Sequence, residues 1–410
     1  MSRLRRAFLG PVETLRGDGR GWILLTVAVG WLFTLGLRFL IPTLLPQVKA
    51  TFDLDNAAAG LAVTVIWGGY GLMQFPAGLL ADRLGERAVL ATSLALSAGS
   101  LALLAAAPLF VVFLAGTAAF GVGSGLYGPA RGTSLSKAFP RNDGTVFGIT
   151  LAAGSLGSAV IPLAAGTAVA AVGWRFLVGG TAPAFLVVAA LAWTTLPEPI
   201  ESGTRPDGGE SVVDARTLRD VVRDLLRALR NRNVLLAGVA VTFYLFAFQG
   251  LTAFLPTYLV THEGIDQGVA GVIFALLFVG GAVSQLGVGS AADRYGPRPT
   301  LVAVTAAAVV TLLAVPFVDG RLAWSVLVLL LGTRMALAPV TNSYIVARLP
   351  ADVQGAAWGF LRTCLFIVGS TGSLFVGAMG DAGRFDAAFL ALGGVTAVAV
   401  VCYAGLSPRA

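Results

Sequence analysis

Apolar stretches of about twenty residues follow one another along almost the whole 410-residue chain, separated by short polar breaks. Twenty residues of helix, at about 1.5 Å each, match the roughly 30 Å hydrocarbon core of a bilayer. The pattern predicts twelve spanning helices, at 21–46, 57–80, 88–108, 110–138, 144–170, 176–196, 233–260, 267–291, 299–318, 322–347, 354–379 and 385–406. Most breaks are short enough to join antiparallel neighbours. The break at 197–232 is long. Its first part, Pro197 to Gly209, is rich in Pro, Gly and Glu and predicts a linker. In its second part Leu218, Val221, Val222, Leu225, Leu226 and Leu229 recur at helical spacing, while Arg216, Arg219, Arg223, Arg227 and Arg230 fall mostly off that stripe. This predicts a basic amphipathic helix on the membrane surface, with a protein-docking helix as the alternative. The chain divides into a tail (1–20), a six-helix half (21–196), the linker (197–232), a second six-helix half (233–406) and a short tail (407–410).

Composition agrees with a membrane protein. Only 12% of residues are charged and 56% are hydrophobic, whereas soluble domains average roughly 25% charged. The net charge of +7 does not mark a nucleic-acid binder, because the basic residues are spread over alternate loops. In the loops on the side away from the N-terminal tail only Lys49, Arg175, Arg321 and Arg384 occur, and Arg38, Arg334 and Arg362 belong to neither side. The excess places both termini and the linker in the cytoplasm of a multi-pass plasma-membrane protein. Arg5-Arg6 in the tail resembles a twin-arginine signal, but the next apolar run starts too late and runs too long for a cleaved segment. Cys364 and Cys402 lie far apart inside apolar runs and read as buried thiols. There is no P-loop, no nucleophile–base pair and no metal-ligand cluster, so no enzymatic activity, cofactor or metal is expected.

The chain is also a repeat. Gly78-Leu-Leu-Ala-Asp82-Arg83-Leu-Gly85-Glu86-Arg87 returns as Gly289-Ser-Ala-Ala-Asp293-Arg294-Tyr-Gly296-Pro297-Arg298, at an offset of 211 residues. Asp55, Gly60, Gln74, Gly144 and Gly148 recur at the same offset as Asp266, Gly271, Gln285, Gly355 and Gly359. Two copies of one unit are the signature of a fold with internal symmetry.

Twelve spans in two halves, with G-x-x-x-D-R-x-G-x-R after spans two and eight, resemble the major facilitator superfamily. The resemblance implies an all-α integral membrane fold of two pseudo-symmetric six-helix halves, rocking about a central site that opens alternately to each side. It implies a gating role for Gly78, Asp82, Arg83, Gly85, Arg87, Gly289, Asp293, Arg294, Gly296 and Arg298. Glu86 and Pro297 depart from the family pattern, in which a basic residue is usual. Asp82 ends a helix, and the other half starts a helix near Gly355 whose free N–H groups favour an anion. Asp293 is expected to face the helix start near Gly144 in the mirrored way. The alternative is that these charges only set topology and cap helices. Arg131, near the inner end of span four, is expected either to pair with Asp82 or to act as a ligand.

All 21 acidic residues fall in loops or at span ends, and the single histidine, His262, sits in a loop. Three arginines inside the spans therefore have no carboxylate to neutralise them. A charge in the membrane normally faces a cavity or a partner, and an anionic substrate is one such partner. Arg38 in span one and Arg362 in span eleven are the leading candidates. For Arg38 the alternatives are snorkelling or bonding to carbonyls near Pro42; for Arg362, a bond between helices. Arg334 in span ten reads as structural. Trp67, Tyr70, Tyr127, Tyr244, Gln249 and Asn342 are further ligand candidates, each with interhelical packing as the alternative. Span five lacks the Gly-Pro pair of the family's drug/proton antiporters. The expected function is secondary transport of a small organic anion, a carboxylate or phosphate ester, by a monomer with no nucleic-acid partner. Export of amphipathic drugs is the alternative, and a non-transporting sensor a remote one.

Overall fold

The structure, a computed structural model, describes residues 20–140, 142–198, 223, 227, 230–349 and 354–407. The expected amphipathic helix at 218–229 lies almost wholly outside them. The membrane-crossing helices are α1 (Arg20–Phe52), α2 (Asn56–Leu72 with Gln74–Leu84), α3 (Glu86–Ala106), α4 (Phe110–Ala138), α5 (Asp143–Val172), α6 (Trp174–Gly179 with Ala182–Thr195), α7 (Arg232–Thr261), α8 (Gln267–Tyr295), α9 (Pro297–Ala314), α10 (Arg321–Gly332 with Leu337–Val346), α11 (Gln354–Asp381) and α12 (Phe385–Ala404). Two of the irregularities have proline causes. The halves of α2 meet at 44°, one turn before Pro76, whose ring collides with the Leu72 carbonyl and whose nitrogen cannot donate to it. α10 carries a 3₁₀ turn at Thr333–Ala336 for the same reason, Pro339 crowding the carbonyl of Met335.

The halves meet mainly where α2 packs on α11 and α5 on α8, with α1 touching α7. The sequence repeat extends to the packing. A Cβ on Gly121 would stand 2.4 Å from the Ile66 carbonyl oxygen, and one on Gly332 would stand 2.0 Å from that of Leu277. Both glycine and partner are displaced by the same 211 residues. Close backbone approach replaces hydrophobic drive where the surroundings are already apolar. Large side chains such as Phe176 on α6, Val310 on α9 and Val401 on α12 are exposed and face lipid.

The two ends of the bundle differ. At the end away from the repeated motif, α1 from Gly36 to Leu45 and α7 from Leu251 to Leu259 are buried throughout. Cross-half contacts there are tight: the backbones of Gly377 and Asn56 meet, as do those of Gly166 and Gln267, again related by the repeat. At the motif end, a Cβ on Gly78, Gly144, Gly287, Gly289 or Gly355 would meet nothing within 4 Å. Hydrogen bonds between the halves lie toward the first end, and among the described residues none is found at the motif end.

Candidate central site and gates

Arg38 is 1% exposed. Its Nε donates to the Thr34 carbonyl at 3.2 Å, while Nη2 has no partner. Main-chain oxygens therefore do not saturate it. Its guanidinium lies 4.0 Å from the centre of the Tyr70 ring, 4.9 Å from Trp67 and 5.3 Å from Trp31. Seven residues separate Trp31 from Arg38 on α1, two turns on one face. Arg131 approaches from α4, with its guanidinium 4.4 Å from the Trp31 ring and its Nε and Nη1 unpartnered. Arg362 comes from α11 in the other half, between Trp358 at 5.8 Å and Phe366 at 5.7 Å. Phe366 in turn lies parallel to Trp67, 6.2 Å away, and edge-on to Tyr70 at 5.1 Å. Arg38 and Arg131 thus share the Trp31 ring, and Arg362 is linked to Arg38 through Phe366 and Tyr70.

Like charges gathered in an apolar setting repel and are poorly solvated. Cation–π contacts offset part of that cost, each by about 0.5–2 kcal/mol. Five buried donor atoms are left without a protein partner: four on Arg38, Arg131 and Trp31, and Nε1 of Trp67. Among the described residues, no carboxylate pairs with Arg38, Arg131 or Arg362.

The other candidates scatter. The Tyr127 hydroxyl donates to the Val27 carbonyl at 2.9 Å, and its ring stacks on Trp31. Gln249, at the repeat-equivalent position of Arg38, is 1% exposed with Oε1 unpartnered. Tyr244 stacks on Phe248 and borders Arg334. Asn342 is half-buried on the motif-end segment of α10. The sequence did not single out Trp31, Trp358 or Phe366. It also gave Arg334 a structural role, and that residue is fully buried in the 3₁₀ turn of α10. One of its nitrogens donates to the Tyr244 carbonyl at 3.2 Å, and Nε and Nη1 are unpartnered. It is a fourth unneutralised arginine, and its lack of an acidic neighbour in the sequence was the available signal.

The motif contacts differ from expectation. Asp82 and Asp293 are exposed at helix ends. Among the described residues neither reaches the opposite half, and Arg131 stacks on Trp31 instead of pairing with Asp82. Neither expected contact, to the helix start near Gly355 or to that near Gly144, is present among the described residues. The rest of the motif is local. Gly85 and Gly296 turn the chain at φ 81° and 91°, in a region that side chains disfavour. Glu86 pairs with Lys137 at 2.6 Å and Arg87 with Glu198 at 2.9 Å. Arg87 also covers the Trp193 ring.

An anion capping the other half's helix does occur, at the closed end. The Asp381 carboxylate, ending α11, accepts from the Asn56 and Ala57 N–H groups that start α2, at 2.7 and 2.8 Å. Gln47 on α1 hydrogen-bonds Gln267 on α8, and Thr64 bonds Ser370 and Ser373 across the α2–α11 contact. This end holds the halves together.

Comparison with known proteins agrees with the geometry. A family model described as Major Facilitator Superfamily matches residues 26–373 and 264–410. The nitrite extrusion protein of Bacillus subtilis is 27% identical over 65% of this chain and 64% of its own. The 4-hydroxybenzoate transporter PcaK of Pseudomonas putida is 27% identical over 62% of each. The chain thus spans slightly less than two thirds of these two relatives. Among solved structures, a bacterial homolog of the human lysosomal transporter Spinster superposes with a TM-score of 0.77 at 15% identity, over 94% of this chain and 96% of that one.

Proposed function

This chain belongs to the major facilitator superfamily of membrane transporters, and from that premise we propose that it carries a small organic anion across the plasma membrane by alternating access. The charge asymmetry of the loops assigns the motif end to the cytoplasm, and the hydrogen bonds between the halves toward the opposite end fit an inward-open conformation. One observation carries the choice of an anion: guanidinium groups from both halves, Arg38 over Tyr70, Arg131 over Trp31 and Arg362 beside Phe366, meet one aromatic cluster, with nitrogens of Arg38 and Arg131 unpartnered and, among the described residues, no carboxylate beside any of the three. A carboxylate or phosphate ester accepts from such groups in the bidentate manner that suits arginine. The parallel Trp67 and Phe366 rings and the edge of Tyr70 favour a planar, aromatic body on the anion. Relatives named for nitrite and 4-hydroxybenzoate support the same charge class. Because Arg362 sits in one half and Arg38 in the other, a bound anion draws the halves together, which is how substrate promotes passage between the two openings.

Uptake into proteoliposomes tests this, with aromatic carboxylates, aliphatic carboxylates, phosphate esters and an amphipathic cation as probes. Aromatic carboxylates are expected to be taken up fastest. Arg38→Gln or Arg362→Gln is expected to lower uptake roughly 10–100-fold, the value of a charged hydrogen bond of about 1.5–3 kcal/mol. Unchanged uptake by Arg362→Gln, with a neutral or cationic compound as best substrate, overturns the anion and favours export of amphipathic compounds.

A further inference from the structure

The motif repeats in sequence, but its charge balance does not. In the first half two cations at the motif end have acids: Lys137 pairs with Glu86, and Arg87 with Glu198. In the second half Arg298 holds the place of Arg87, and Arg348 lies next to that of Lys137, the prolines around it, Pro129 and Pro140, recurring one residue out of step as Pro339 and Pro350; the acids become Pro297 and Arg409. Both neutralising carboxylates are lost from the second half and neither arginine is.

The two arginines line one pocket of about 420 Å³ at the motif end, together with Tyr295, Tyr344 and Ser407. Arg348 lies 3.5 Å over the Tyr344 ring and donates to that residue's carbonyl at 3.0 Å. Tyr344 is 4% exposed, and its hydroxyl has no hydrogen-bond partner. Among the described residues, no carboxylate pairs with Arg298 or Arg348. A second groove, of about 480 Å³, shares Tyr295 and Pro299 with this pocket and runs between α8 and α9. Val288, Ala291, Ala303 and Val304 line it. Leu286 on α8 is 83% exposed and Val310 on α9 is 68% exposed, as expected of helices facing lipid.

We infer that this is a binding site for one anionic phospholipid. The phosphodiester sits against Arg298, Arg348 and the Tyr344 hydroxyl, and an acyl chain lies in the α8–α9 groove. Two guanidinium groups and a hydroxyl suit a phosphate, and basic pockets between spanning helices suit anionic headgroups. The adjoining apolar groove is what selects a lipid over free phosphate. The site lies on the motif of the second half, whose surroundings change as the motif end opens and closes, so its occupancy is tied to that equilibrium.

The full-length chain in dodecyl maltoside, titrated with phosphatidylglycerol, phosphatidylcholine or inorganic phosphate and followed by native mass spectrometry, tests the site. One phosphatidylglycerol is expected to be retained in preference to phosphatidylcholine. Arg298→Gln with Arg348→Gln is expected to weaken that retention at least tenfold. Pro297→Glu keeps both arginines and supplies the acid that Lys137 has in the first half; it is expected to weaken retention by a similar factor. Ala303→Trp in the groove is expected to weaken the lipid and leave phosphate unaffected. Equal retention of the two lipids, or retention untouched by both the glutamine pair and Pro297→Glu, overturns the site. Inorganic phosphate displacing phosphatidylglycerol at equal concentration overturns the lipid and leaves a plain anion pocket.

Discussion

Arg38 shows how a single side chain can be both structural and available. One nitrogen is tied to the preceding turn of its own helix and the plane rests on Tyr70, yet Nη2 is left over. A lysine has one compact charge and no plane to stack, so Arg38→Lys is expected to retain the fold and lower anion uptake at least about tenfold. Uptake equal to the parent would mean that charge alone suffices there. Tyr127 is the opposite case. Its hydroxyl is engaged by Val27, so Tyr127→Phe is expected to cost about 1 kcal/mol of stability, seen as a lower melting temperature, with substrate KM unchanged. The sequence exposed Arg38 and Arg362 because acids are missing from the interior of every span. It did not expose Trp31 or Phe366, since an aromatic residue in an apolar run looks the same whether it faces lipid, a neighbour or a guanidinium.

Among elements, the helix ends matter most. Gly85 and Gly296 hold φ values that a side chain resists, whereas Gly78 and Gly289 stand beside open space. Gly85→Ala or Gly296→Ala is therefore expected to destabilise by about 1–3 kcal/mol. Gly78→Ala and Gly289→Ala are expected to leave the melting temperature within the error of the scan. A comparable drop for all four would show that the motif end is packed in solution. Asp381 is the other decisive end. Its carboxylate caps α2 from across the molecule, and because it is exposed its contribution is discounted to about 1 kcal/mol. Asp381→Asn is expected to shift the two-state equilibrium roughly fivefold toward opening of that end. Distances between spin labels on α2 and α11 report it, and an unchanged distribution would deny Asp381 a gating role. The sequence pointed to anions at helix starts as gates, and picked Asp82 and Asp293. Which carboxylate is within reach depends on which end is closed, and no local pattern carries that.

For the whole molecule, the proposed alternating access requires the closed end to open. Gly166 on α5 and Gly271 on α8 touch there, a built Cβ on Gly166 standing 3.3 Å from the Gly271 Cα. Gly166→Cys with Gly271→Cys, in a chain with Cys364→Ser and Cys402→Ser, is expected to cross-link on oxidation. Uptake is expected to stop when the link forms and to return on reduction. Uptake that continues through a complete cross-link would exclude rocking of the halves as the transport step.

Hydrophobic run lengths, loop charge and a doubled motif determined the spans and the two-half architecture. Each depends on energies that lipid imposes residue by residue or that duplication copied along the chain. The tertiary structure alone decided that Arg38, Arg131 and Arg362 share one aromatic enclosure, that Arg334, like Arg38 and Arg131, keeps unpartnered nitrogens, and that Asp381 does the capping expected of Asp82. Those facts depend on how two halves, identical in plan, are tilted against each other. A tilt is a property of contacts between residues hundreds of positions apart, and its alternatives differ by only a few kcal/mol.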